Sequence, residues 1–187
     1  KIKIIKGSGI NLKKFKFSKI KNKLPIILMA SRIIGDKGVK EYVSAAKYLK
    51  KEKFKGKFLL IGNIDNANPS AISKYQINKW KKDKLIFYLT HKQEIKKYIK
   101  SSTIVVLPSY REGFPKILME AAACGRPVIA SDVPGCKDAV LKNITGFLVP
   151  VKNYVSLAKA IKKLSQNRNL LIKIGKAARK HAVENFD

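Results

Sequence analysis

Six short runs of continuous apolar residues, separated by longer stretches of helical pattern, narrow what this chain can fold into. The runs are PIILMA (25–30), KFLLIG (57–62), KLIFYL (84–89), TIVVLP (103–108), PVIAS (127–131) and GFLVP (146–150). Each is rich in β-branched or aromatic residues. Apolarity without alternation marks strands buried on both faces, and hence a parallel sheet. The segments between the runs read as helices. KGVKEYVSAAKYLKK (37–51) puts Val39, Tyr42, Val43, Ala46 and Leu49 on one stripe. KQEIKKYIKSS (92–102), PKILMEAAAC (115–124), NYVSLAKAIKKLSQ (153–166) and RNLLIKIGKAARKHAVENF (168–186) follow. A β-α order repeated in this way predicts an α/β protein with a doubly wound, mainly parallel, Rossmann-like sheet.

The chain has 187 residues and is 45% hydrophobic, enough to bury a core and to exclude a disordered chain. No apolar run approaches the ~18 residues of a membrane span. The first residues, KIKIIKGSGINLKKFKF, carry lysines throughout and lack the apolar stretch of a signal peptide, so none is expected there. Residues 1–22 read as an interdomain linker leading in from a preceding domain, and residues 23–187 as one Rossmann-like unit. Cys124 and Cys136 lack metal-ligand spacing and read as buried thiols in a reducing cytoplasm. The formal charge is +29, and of 41 basic residues only Arg32, Arg111, Arg126, Arg168 and Arg179 are arginine. The lysines are dispersed, as compositional drift would leave them. An anionic membrane surface is the second reading of that charge. Nucleic acid ranks third, because no arginine patch or aromatic platform is present.

Ligands of such sheets bind beyond the carboxyl ends of the strands, where helix N-termini point. After the first strand comes SRIIGDKG, with Arg32 and Lys37 bracketing a turn. A cation at a helix start opposes the helix dipole, a conflict that an anion between the two would remove. A plain solvated lysine is the alternative for Lys37. After the fourth strand comes PSYREGFPK. Pro115 suits a first helical turn, and Gly113 admits close approach of a ligand to the backbone. Glu112 reads either as a capping carboxylate or as a ligand contact. Glu120 reads either as a surface partner of Lys116 or as a second ligand contact. Two carboxylates at these positions could grip hydroxyls at both ends of an extended ligand, with a diphosphate between them. That describes a nucleotide-diphosphate sugar.

The stretch PSYREGFPKILMEAAACGRPVIASDVPGCKDAVLKNITGFLVP (108–150), with Glu112 and Glu120 in an E-x7-E pattern, closely resembles the C-terminal half of a GT-B fold, family 4 retaining glycosyltransferase. SRIIGDKG (31–38), LLIGNID (59–65) and GSGINLKKF (7–15) are similar to further segments of that family, so the resemblance covers nearly the whole chain. It is nearest to the bacterial branch that builds lipid-linked oligosaccharides and surface polysaccharides, including lipopolysaccharide, and that includes N-acetylhexosamine transferases. The resemblance implies that Glu112 contacts the donor sugar. Gly113, Phe114, Pro115 and Lys116 form the backbone cradle for sugar and phosphate. Glu120 holds the ribose, and Arg32 and Lys37 neutralise the leaving diphosphate. Thr90 and His91 flank the base, and Gly62 and the SDVPG turn (131–135) line the same cleft. It further implies a UDP-linked donor, no cofactor and no metal. The lipid-linked or saccharide acceptor would be held by an N-terminal domain outside this chain, so the fragment alone would be inactive. The setting would be cytoplasmic, at the inner face of the plasma membrane. A non-catalytic nucleotide-sugar-binding module, or another GT-B enzyme such as an epimerase, is the alternative.

Overall fold

A computed structural model describes residues 9–90 and 94–187. In it every apolar run contributes a strand: β1 (Ile26–Ala30), β2 (Lys57–Ile61), β3 (Phe87–Leu89), β4 (Ile104–Leu107), β5 (Val128–Ser131) and β6 (Gly146–Val149). All pairings are parallel, in the order β3-β2-β1-β4-β5-β6. The helices are α1 (Val39–Lys51), α2 (Lys74–Lys82), α3 (Ile95–Ser101), α4 (Lys116–Ala123), α5 (Pro134–Ala139), α6 (Tyr154–Gln166) and α7 (Arg168–Asn185). The doubly wound sheet expected from the apolar runs is the one observed.

Successive strand residues feed opposite layers, as the pleat requires. Ile27, Met29, Ile104, Val106 and Ile129 join one core with side chains of α1, α6 and the first half of α7. Leu28, Val105, Leu107, Val128 and Ala130 join the other with α4, α5 and the second half of α7. Each large aliphatic side chain buried in this way stabilises the fold by about 1.5–3 kcal/mol relative to exposure. Burial on both faces fails at the edge of the sheet, where Phe87 of β3 is 60% exposed. The run 84–89 also overstates that strand. Lys84 is in a left-handed conformation (φ 54°), and the amide of Leu85 bonds back to the carbonyl of Trp80 at the end of α2 (3.0 Å).

Residues 10–20 form no strand or long helix, yet they are anchored to the sheet. Phe15 and Ile20 are buried, and three of the five arginines bond to backbone carbonyls of this stretch. Arg126, wholly buried, donates to the carbonyls of Ser18 (2.8 Å), Lys100 (2.8 Å) and Ile99 (3.1 Å) and to the Ser18 hydroxyl. Arg179 donates to Phe15 (3.1 Å) and Ala123 (2.9 Å), and Arg168 to Ile20.

Strands β1 and β4 are neighbours, and the connections after them leave toward opposite sides. A crevice therefore opens above their carboxyl ends. There the two loops touch. Gly38 has φ 77°, and a Cβ on it would lie 2.0 Å from the Pro108 carbonyl oxygen, so no other residue fits without displacing a loop.

Candidate active site

Lys37 ends a short 3-10 turn (Gly35–Lys37) just ahead of α1, and Glu112 lies in the loop after β4. The lysine Nζ and the Glu112 Oε1 are 2.7 Å apart, with side chains only 21% and 10% exposed. A charge-assisted contact this withdrawn from water is stronger than a surface pair. Glu112 does not cap α4. Pro115 is itself the N-cap, with φ −75° and ψ 113°, and no side chain caps that end. The proline thus precedes the helix by one residue instead of sitting in its first turn. The Leu118 amide is bonded to the Pro115 carbonyl (3.1 Å). The amides ahead of it have no acceptor within their own helix, the arrangement that suits an anion. A Cβ on Gly113 would meet nothing within 4 Å, so that backbone is open to a ligand. The expected SDVPG turn (131–135) instead runs from the end of β5 into the start of α5, and Gly135 in that first helical turn presses against the same loop. A Cβ there would fall 2.0 Å from the Gly113 carbonyl oxygen.

Beside this loop runs a cleft of about 390 Å³, whose lining includes Arg32, Gly62, Lys116 and Glu120, with Ile61 and Ile117. Burial raises the Glu120 carboxyl above its ordinary value, while Lys116 and Lys14 draw it back. A carboxylate short of solvation gains more from a ligand hydroxyl than an exposed one does. Arg32 does not converge with Lys37 on a shared gap. It pairs with Asp65 at 3.0 Å, the two side chains being 60% and 29% exposed. Each cation therefore already has a carboxylate partner. The exposed Arg32–Asp65 contact is worth no more than ~1 kcal/mol, so an incoming diphosphate could recruit the arginine cheaply.

The Phe114 ring stacks edge-on against Phe186 at 5.7 Å, which commits its side chain to packing and leaves its backbone for a ligand. Gly62 is fixed by a hydrogen bond from the Tyr88 hydroxyl to its carbonyl (2.8 Å). Thr90 follows β3 and is exposed, and His91 lies outside the described residues. Both cysteines are free and buried, and burial pushes the Cys136 thiol up to about 12 and the Cys124 thiol up to about 11. Sequence reasoning missed Asp65 and a hydrogen bond from Tyr110 to Glu41 (2.6 Å). Asp65 falls within LLIGNID, and its acidic character was the one available signal. A larger cavity, about 530 Å³, lies between Phe17–Lys21 and α7. It borders Gly125 in the turn leading into β5, at the opposite edge of the sheet from the strand carboxyl ends, and so away from this site.

Loops gathered over the switch point of a parallel sheet, with cations, carboxylates and an uncapped helix start, are what a Rossmann-like domain offers to an anionic ligand. The chain belongs to the family of glycosyl transferases group 1, whose pattern it matches over residues 11–181. It is 36% identical to the N,N'-diacetylbacillosaminyl-diphospho-undecaprenol alpha-1,3-N-acetylgalactosaminyltransferase of Campylobacter jejuni, over 98% of this chain and 50% of that protein. Sucrose-phosphate synthase from Thermosynechococcus elongatus superimposes with a TM-score of 0.85 at 26% identity, covering 98% of this chain and 48% of that one. HepE from Anabaena, solved in complex with UDP, shares the fold with a TM-score of 0.83 at 20% identity, over 96% of this chain and 52% of that one. The chain spans about half the length of the curated relatives it matches.

Proposed function

We propose that this chain is the donor-binding half of a retaining glycosyltransferase. It would take a UDP-linked sugar, an N-acetylhexosamine first among candidates, for transfer to a lipid-linked or polysaccharide acceptor. The observation that carries this reading is the arrangement at the switch point. The half-buried Glu120 lies in the cleft, the Lys37–Glu112 pair in the adjoining loops, and the open start of α4 between them. The C. jejuni relative, whose name specifies N-acetylgalactosamine and a diphospho-undecaprenol acceptor, supports the substrate classes.

In this reading Glu120 accepts from the ribose hydroxyls and Glu112 from the sugar. As the glycosidic bond breaks, negative charge grows on the departing diphosphate. Lys37, Arg32 and the amides at the start of α4 stabilise that charge, with no metal or cofactor required. The acceptor belongs to the other half of the enzyme, so the 187-residue chain binds nucleotide and transfers nothing alone. Among the described residues no helix is long and apolar enough to cross a membrane. The +29 charge supports contact with an anionic cytoplasmic leaflet.

A thermal-shift series with UDP-, GDP- and ADP-sugars tests the donor class, because a ligand that binds only the folded chain raises its melting temperature. UDP compounds are expected to stabilise the chain most. Glu120→Ala is expected to weaken UDP binding about tenfold in calorimetry, the loss of hydrogen bonds to a charged acceptor. Equal affinity in the variant would remove Glu120 from the ribose.

A further inference from the structure

We propose that Tyr110 and Glu41 form a positioning pair that fixes how far Glu112 stands from Lys37, and so sets the sugar-binding end of the site; this rests on the donor-binding reading above. Four observations place the pair. The Tyr110 hydroxyl donates to Glu41 Oε1 at 2.6 Å, the short length of a hydrogen bond to an ionised acceptor. Glu41 is in the first turn of α1, just after Lys37, and Tyr110 is two residues before Glu112. The contact therefore ties the start of α1 to the loop after β4, as the Lys37–Glu112 pair ties the 3-10 turn just ahead of α1 to the same loop, and forms a second rung beside it. The backbone repeats the link. The Tyr110 amide donates to the Asp36 carbonyl (2.8 Å), and the buried Ser109 hydroxyl donates within reach of the carbonyls of Asp36 and Arg111 (both 3.1 Å).

The surroundings favour a phenol held as a donor. Burial is the main cause raising the Tyr110 hydroxyl well above its ordinary value, and the Glu41 carboxylate adds to it. The other Glu41 oxygen, Oε2, is buried with no hydrogen-bond partner among the described residues, so Tyr110 is the visible compensation for that carboxylate. Lys152 Nζ lies 5.1 Å from the centre of the Tyr110 ring, a contact that does not involve the hydroxyl and that a phenylalanine ring keeps.

The test uses Tyr110→Phe, Glu41→Ala and Glu41→Gln in the intact chain. Tyr110→Phe keeps the ring, and Glu41→Gln keeps an acceptor oxygen. The first readout is amide hydrogen exchange without ligand. Residues 109–116 are expected to exchange about tenfold faster in Tyr110→Phe and Glu41→Ala, near the original rate in Glu41→Gln, and unchanged elsewhere. The second readout is calorimetry with UDP and with UDP-N-acetylgalactosamine. Tyr110→Phe should bind UDP as before and the sugar nucleotide about tenfold more weakly. Unaltered exchange in Tyr110→Phe overturns the proposal. So does faster exchange with equal losses for both nucleotides, which is what a merely structural contact gives. If the unsubstituted chain binds neither nucleotide, the donor reading fails, and the exchange pattern with its rescue by Glu41→Gln still decides whether the pair holds the loop.

Discussion

Replacing Lys37 with alanine is expected to lower sugar transfer about 100-fold in an enzyme that carries both halves, the usual loss on removing one group that stabilises transition-state charge. The structure explains why so large a loss falls on one lysine in a chain full of them. Its ammonium is held 2.7 Å from Glu112 in a site where both side chains are largely shielded from water, so its charge is weakly screened and already in place. The substitution also strands a carboxylate that is 10% exposed, so some loss of stability should accompany it. Thermal unfolding separates the two effects. A variant still folded at the assay temperature and yet about 100-fold slower supports the charge role. Near-normal turnover in a folded variant removes Lys37 from the chemistry. Arg32→Ala should act in the same direction.

The second large effect concerns the fold. Arg126→Ala is expected to lower the melting temperature by about 10 °C. Among the described residues Arg126 has no carboxylate partner; its guanidinium is spent on the carbonyls of Ser18, Ile99 and Lys100 and on the Ser18 hydroxyl. Deleting it leaves the buried Ile99 carbonyl and the part-buried acceptors of Ser18 and Lys100 without their donor, at a cost of about 3 kcal/mol or more. For a domain of this size each kcal/mol shifts melting by roughly 2–4 °C. Arg126→Lys should recover little of the loss, because one ammonium cannot match the planar fork that reaches three carbonyls. A melting point within about 2 °C of the original in Arg126→Ala would show that water replaces the guanidinium freely.

The sheet was readable because its strands are buried on both faces, and continuous runs such as IVVL and VIAS leave no competing pattern. Legibility falls where burial falls. Helix α2 shows a weak signal, since KYQINKWKK buries only Ile77 and Trp80. Helix α5, with its Pro-Gly start and six residues, reads as a turn. The candidate site was legible as a set of loops, because the place of ligands above a doubly wound sheet follows from topology. Its pairings were not. Lys37 and Glu112 are 75 positions apart, Arg32 and Asp65 are 33 apart, and Tyr110 and Glu41 are 69 apart. Nothing local marks which lysine among so many meets which acid. The role of Arg126 was hidden for a different reason: its partners are mostly backbone carbonyls, which every residue offers.

The most direct test is a crystal structure of this chain with UDP-N-acetylgalactosamine bound. The expected result places the diphosphate within hydrogen-bond reach of Lys37 and the first amides of α4, the ribose on Glu120 and the sugar on Glu112. A nucleotide seated elsewhere, for instance in the cavity beside Phe17 and α7, with both glutamates away from it, would contradict the account.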